Sequence, residues 1–209
     1  MGESAAVKLA LGFVHPEVVD GRFLHSFIRT RDKYAAVYAF GSGPRIDIGR
    51  NLVVSQFLAE DCTHLLMVDA DMVFGPSHVE RIVKHDHDIV SGLYFAGSPY
   101  DPVPLIIRKG DLKRPTDWPR NELIDVDGAG CGFLLIKRHV LEKMAEKWFR
   151  QDEQGEDIYF SRTAKRMGYS IKLDTGITLG HMKPYPMTIE DFDGVPANKQ
   201  DRRHGEHPE

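Results

Sequence analysis

The sequence predicts an α/β fold in one domain: a mixed, mainly parallel, Rossmann-like sheet flanked by helices. Three observations carry this. Apolar runs of strand length alternate along the chain with longer stretches whose apolar residues recur at helical spacing. One such run, Leu65-Leu66-Met67-Val68, delivers Asp69-Ala70-Asp71 at its carboxyl end, where open α/β sheets bind ligands. The 209 residues, 42% apolar and 28% charged, have the composition of a soluble globular protein and suffice for one substantial core.

Taken in order, Val7 to Val14 reads as a first buried strand ended by His15-Pro16. Val18, Val19, Phe23, Leu24, Phe27 and Ile28 form the stripe of a helix from Glu17 to Arg31, weakened slightly by Gly21. Tyr34 to Phe40 is a second strand, closed by Gly41-Ser42-Gly43-Pro44, which lacks a phosphate-loop signature. Arg45 to Glu60 reads as a second helix, with Ile48, Leu52, Val53, Phe57 and Leu58 at core spacing. After the Asp69/Asp71 strand, Ser77 and Glu80 have the spacing of a capping box, predicting a helix to about His85. Asp88 to Tyr94 is the next strand. Residues 96 to 122 read as a long excursion with one short strand, Leu105 to Ile107, and loops of that length commonly serve as lids or binding loops. Gly128, Gly130 and Gly132 precede a buried strand ending at Ile136, and a helix follows from Arg138 to Trp148. Phe160, Ala164 and Met167 mark a further helix with Gly168 as terminator. Ser170 to Leu173 and Ile177 to Leu179 complete the strands. Residues 1–188 are expected to form the domain, and 189–209 a polar, flexible tail.

Composition narrows the function classes. A net charge of −4 gives no generic nucleic-acid footprint, although a local basic groove around Lys109, Lys113, Arg114 and Arg120 is compatible with it. No apolar run approaches a membrane span of about 20 residues, and the N-terminus has no basic region followed by a long apolar core, so no secretory signal is expected. Two cysteines, Cys62 and Cys131, make no disulfide framework, so a reducing cytoplasm is the simplest setting.

The chemistry-bearing residues follow from spacing. Asp69 and Asp71 would share a face if the extended geometry ran on through Ala70. Two carboxylates so close need a cation or donors, and a hard ion such as Mg²⁺ or Mn²⁺ with substrate phosphates would satisfy them. The same Asp-x-Asp spacing occurs at Asp86/Asp88, Asp125/Asp127 and Asp191/Asp193, where turns or caps are the ordinary use. Asp47, Arg50 and Asn51 share a helix face, fit either to reach one ligand or to form a surface ion pair. The alternate glycines from 128 to 132 admit a ligand or a closely packed chain. Asp157 and Glu156 fall in the first turn of their helix, where a dipole role explains one of the two better than both. His181 follows a strand, as a structural residue or a metal ligand.

Together and in this order, Arg50-Asn51, Leu66-Met67-Val68-Asp69-Ala70-Asp71, Gly128 to Ile136, Gly155-Glu156-Asp157 and Gly180-His181 resemble glycosyltransferases of the GT-A fold, especially the small family 2-like enzymes. The resemblance spans about residues 7 to 182. It implies a nucleoside-diphosphate sugar donor at the strand ends, with Mn²⁺ or Mg²⁺ held by Asp69, Asp71 and His181. It further implies Asp157 as the general base of an inverting, hexosyltransferase-like reaction, with Glu156 beside it. Asp47, Arg50, Asn51, Asp69, Gly130 and Lys183 would line the donor site. The acceptor stays open among a glycan, a small molecule and a hydroxylated nucleic-acid base, to be chosen by the loop from Ala96 to Glu122 and the segment after His181. The other readings are a sugar-nucleotide nucleotidyltransferase, whose glycine-rich basic loop His15-Pro16-Glu17 does not match, and a non-catalytic nucleotide-sugar binding module.

Overall fold

The computed structural model describes residues 7–31, 34–40, 45–98, 101–108, 117–144, 148–182, 186, 187 and 189. In chain order the elements are β1 (Leu9–His15), α1 (Gly21–Arg31), β2 (Ala35–Phe40), α2 (Ile46–Ala59), β3 (His64–Val68), β4 (Met72–Val73), α3 (Pro76–Val83), β5 (Ile89–Leu93), β6 (Phe95–Ser98), β7 (Asp101–Pro104) and β8 (Ile106–Arg108). There follow β9 (Leu123–Ala129), β10 (Phe133–Lys137), α4 (Arg138–Met144), α5 (Glu156–Arg166), β11 (Ile171–Thr178), β12 (Gly180–Met182) and β13 (Pro186–Met187).

The central sheet has eight strands in the order β2-β1-β3-β10-β5-β11-β9-β8. β1 runs parallel to β2 and β3, and β5 parallel to β11, while β10 and β9 lie antiparallel to their neighbours. β2, β1, β3, β5, β11 and β8 therefore point one way, and the sheet is mixed but mostly parallel, as the sequence predicts. A small sheet, β13-β12-β4, sits at the end of β3, and β6 and β7 form a hairpin.

Strand alternation divides the core between the two faces. Leu65 and Met67 of β3 join Val53 and Phe57 of α2, Val140 of α4 and Phe160 of α5 on one face. Leu66 and Val68 join Phe23 of α1 with Val79 and Ile82 of α3 on the other. This double coverage is why β3 is apolar throughout rather than alternating. Burying each such side chain stabilises the fold by about 1.5–3 kcal/mol. α3 is further tied to the sheet by fully buried Asp174 of β11, which accepts from Arg81 at 2.6 and 2.8 Å.

Several local expectations change. α1 starts at Gly21, not Glu17, because Asp20 Oδ1 accepts the Arg22 N–H at 2.7 Å and caps the helix there. α3 starts at Pro76, so the cap falls on Gly75 and the Ser77/Glu80 box does not form; proline suits a first position whose N–H would have no helical partner. The excursion holds the β6–β7 hairpin besides the expected short strand, which is β8, and β9 follows directly after it. Gly128 lies inside β9, where an added Cβ would come within 3.2 Å of Ile158 and 3.4 Å of Ile107. β11 is one strand with an irregular register between Asp174 and Thr178, not two. Of the proposed tail, residues 190–209 lie outside the described part.

Candidate functional site

The carboxyl end of β3 does not continue as extended chain. The Met72 N–H returns to the Asp69 carbonyl at 3.0 Å, making Asp69-Ala70-Asp71 a tight turn into β4. Both aspartates nevertheless line one cavity of about 300 Å³. Its facing wall is aliphatic, from Val14, Pro16, Val18 and Ile46, and Val18 is 83% exposed at its rim.

Asp69 and Asp71 have different partners. Arg50 of α2, only 4% exposed, donates through Nη2 to Asp69 Oδ1 at 2.7 Å and through Nε to Glu156 Oε1 at 3.1 Å. Burial, the largest single influence, would weaken its charged form, but the surrounding negative groups, Asp69 foremost and Glu156 among them, together outweigh it and hold the guanidinium firmly protonated. One buried cation thus joins the turn after β3 to the first residue of α5. Asp71 instead faces His181 of β12, with Oδ2 and Nε2 3.1 Å apart. The Met182 N–H donates to the Asp71 carbonyl at 2.7 Å, fixing β12 against this turn.

His181 Nδ1 lies 2.6 Å from the Phe95 carbonyl oxygen. A carbonyl only accepts, so Nδ1 carries the proton, and in the neutral ring Nε2 presents a lone pair to a carboxylate oxygen. Two acceptors at that distance need a proton or a cation between them. A backbone carbonyl orienting the far ring nitrogen is also the usual support of a metal-bound histidine. Two ligands of one octahedral ion with bonds of about 2.1 Å lie about 3.0 Å apart, so the Asp71–His181 pair fits a shared divalent ion. Among the described residues no group of three His, Cys, Asp or Glu side chains is arranged to hold a metal, and Asp69 is turned to Arg50 rather than joining that pair.

The remaining α2 residues serve a shared purpose. Asp47 accepts from Arg45 at 2.9 and 3.1 Å and from the Gln151 N–H at 3.2 Å, and its carboxyl is held below the usual range chiefly by Arg45. Asn51 clasps the Phe149 peptide, donating to its carbonyl at 2.8 Å and accepting its N–H at 3.0 Å. With the Arg50–Glu156 pair, three residues predicted to face a ligand instead bind the segment leading into α5. Among the described residues lining the two cavities, none of the three appears.

That segment positions Asp157. Gly155 adopts φ +95°, which a side chain strongly disfavours, and an added Cβ would lie 3.1 Å from Asp157 Oδ1. Asp157 accepts the Ile158 N–H at 2.7 Å and lines a second cavity of about 420 Å³. Burial first, and the neighbouring Glu156 charge second, push its carboxyl up to about 6. Gly130 borders this second cavity as well. Its Cβ would fall 2.2 Å from the Tyr94 hydroxyl, and that of Gly132 2.7 Å from the Tyr94 ring, so these two glycines make room for a fully buried tyrosine. Tyr94 accepts the Gly132 N–H at 2.7 Å, and its ring packs edge-on against His181, centroids 5.5 Å apart. No pattern in the sequence singled out Tyr94, and the aliphatic walls of both cavities carry only the ordinary signal of core residues. Lys183 lies outside the described residues.

No protein-family model matches the chain, and no curated protein sequence matches it. Solved structures share the fold. A197 from STIV is 22% identical and aligns with a TM-score of 0.64 over 85% of this chain and 86% of that one. The structure of GalNAc-T7 with UDP, GalNAc and Mn²⁺ is 13% identical and aligns with a TM-score of 0.57 over 87% of this chain. This chain covers 45% of that longer one. These likenesses establish a mixed α/β, GT-A-like fold shared with a glycosyltransferase.

Proposed function

We propose that the chain is a metal-dependent, inverting glycosyltransferase that moves a sugar from a nucleoside-diphosphate donor to an acceptor hydroxyl. One observation carries the reading: the chain of ion pairs Asp69–Arg50–Glu156 runs from a residue lining the first cavity, next to Asp71 and its partner His181, to the neighbour of Asp157 on the second. Two cavities held in fixed relation suit a two-substrate transfer, because positioning both reactants supplies much of the rate.

In this reading the first cavity takes the nucleotide end of the donor. Its aliphatic wall packs the base, and Asp69, pinned by Arg50, accepts a donor hydroxyl. Asp71 and His181 would hold Mn²⁺ or Mg²⁺. Such an ion supplies Lewis-acid neutralisation of the charge left on the departing diphosphate. Asp157 takes the proton from the acceptor hydroxyl as oxygen attacks the sugar carbon. A positioned base of this kind is worth about 10²- to 10⁴-fold, and a carboxyl poised near 6 is mostly ionised at neutral pH yet more basic than an ordinary aspartate. Arg50 acts through its two carboxylates by setting the distance between the donor side and the base.

The experiment is a panel of nucleoside-diphosphate sugars incubated with the protein after chelation and after Mn²⁺ is restored, monitored for nucleoside diphosphate release. Metal-dependent release with one donor, and an inverted anomeric centre in the product by NMR, are expected. No binding, transfer or hydrolysis with any donor would remove the reading, and retention of configuration would remove Asp157 as a base acting in a single displacement. Pyrophosphate formation from a nucleoside triphosphate and a sugar phosphate would favour nucleotidyl transfer instead.

A further inference from the structure

We infer that the second cavity selects an acceptor whose hydroxyl is carried on an uncharged, aliphatic body. The inference rests on the transferase reading and narrows it to one acceptor class. Leu105 and Ile107 form the wall at the β8 edge of the sheet, and Ile158 faces the cavity from the first turn of α5. At about 420 Å³ the space admits a group the size of a short branched chain or a single ring.

Apart from Asp157, the charged groups on its border are already paired with an opposite charge. Arg162 is held by the Asp152 carboxylate and donates to Gln154 Oε1 at 2.9 Å. Asp127 is ion-paired with Lys165. A phosphorylated or otherwise anionic acceptor would meet cations whose charge is already offset by the Asp152 and Asp127 carboxylates, and would approach the ionised base. A nucleobase would find no aromatic ring among the described lining residues to stack on, the contact by which proteins hold unpaired bases. What remains is burial of aliphatic surface beside one carboxylate, Asp157, engaged at Oδ1 by the Ile158 N–H. An aliphatic alcohol uses both: its chain covers the Leu105, Ile107 and Ile158 side chains while its hydroxyl meets the carboxylate. In the transfer, the acceptor oxygen forms the new bond to the sugar carbon, the bond to the diphosphate breaks with its electron pair, and the hydroxyl proton passes to Asp157.

The test uses the full chain with Mn²⁺ and three probes: hexane-1,2-diol, glucose 6-phosphate and 5-hydroxymethylcytidine. Saturation-transfer NMR reads binding without turnover, and product mass reads transfer from the donor the protein hydrolyses. The diol is expected to bind, and to accept sugar with a kcat/KM at least ten-fold above the other two. Ile158→Asp should weaken diol binding ten-fold or more, and Ile107→Asn, on the edge strand, should do the same if the first variant does not fold. Equal or better use of the phosphate or the nucleoside, or diol binding unmoved by either substitution, overturns the inference. Donor hydrolysis measured without acceptor separates the two claims: hydrolysis without preference for the diol sinks only the acceptor class, whereas no donor binding or hydrolysis sinks both.

Discussion

Replacing Asp157 by Asn keeps the side chain's shape, and an amide oxygen can still accept the Ile158 N–H, but the titrating group is lost. With a folded value of about 6 against an ordinary aspartate near 3.9, the shift is about two units, or roughly 3 kcal/mol at 1.36 kcal/mol per unit. The sign is fixed by linkage. A carboxyl whose folded value is raised holds its proton more tightly in the native state, so its stabilising contribution is present below about pH 4 and is lost as pH rises through about 6. Asp157→Asn should therefore leave stability nearly unchanged at pH 4 and raise it by up to about 3 kcal/mol at pH 8, partial solvent exposure reducing the figure. For a chain of this size the full 3 kcal/mol corresponds to an increase in Tm of about 6–12 °C. Transfer should meanwhile fall about 10²- to 10⁴-fold, with donor affinity within about two-fold of the parent. Thermal melts at the two pH values, run beside product formation, read both effects. Wild-type transfer by the variant, or an equal gain in Tm at pH 4 and pH 8, would refute the reasoning.

Arg50→Met leaves Asp69 and Glu156 facing each other without their shared cation and should cost about 3–5 kcal/mol in urea unfolding; an unchanged midpoint contradicts the bridge. Gly130→Ala drives a methyl against the Tyr94 hydroxyl, for which the Cβ distance is 2.2 Å, and should cost about 1–3 kcal/mol. In a Tyr94→Phe background, which forfeits the Gly132 N–H bond throughout, the same Gly130→Ala change should cost much less, because the next ring atom lies at 3.1 Å, and an undiminished cost would mean the clash is not the cause. The pH profile of kcat/KM should rise through about pH 6 as Asp157 ionises and flatten above it, and a profile flat from pH 5 to 8 excludes that group as the base.

What the sequence reveals here is local pattern, and what it hides is pairing. The run Leu65 to Val68 is apolar at every position because helices cover both faces of the sheet, and it marks the strand end that opens onto the first cavity. Gly155-Glu156-Asp157 is legible because a glycine before an acidic pair opens a helix whose core stripe is plain. The partner of each charged group is not a local property: Arg50 reaches Asp69 and Glu156, 19 and 106 residues away. Helical spacing shows only that Asp47, Arg50 and Asn51 share a face, not whether that face meets a ligand, an ion-pair partner or another segment. Within their partner, the segment from Phe149 to Glu156, only Gly155-Glu156 carries a local signal, and that signal does not say what the segment packs against. The glycines at 130 and 132 are visible in the sequence, yet the residue they accommodate, Tyr94, lies some 38 positions from Gly132. The Ser77/Glu80 spacing misplaced a helix start because Pro76 was already suited to the first position.

The proposed metal-dependent site for a nucleoside diphosphate lies between the strand-end turn and His181. Isothermal titration of a set of nucleoside diphosphates (UDP, GDP, ADP and CDP) into the protein, with Mn²⁺ and again after chelation, repeated with Asp71→Ala for the one that binds, tests it directly. Binding that requires Mn²⁺ in the parent and is lost in Asp71→Ala is the predicted result; binding of equal strength without the metal, or unaffected by the substitution, would contradict it.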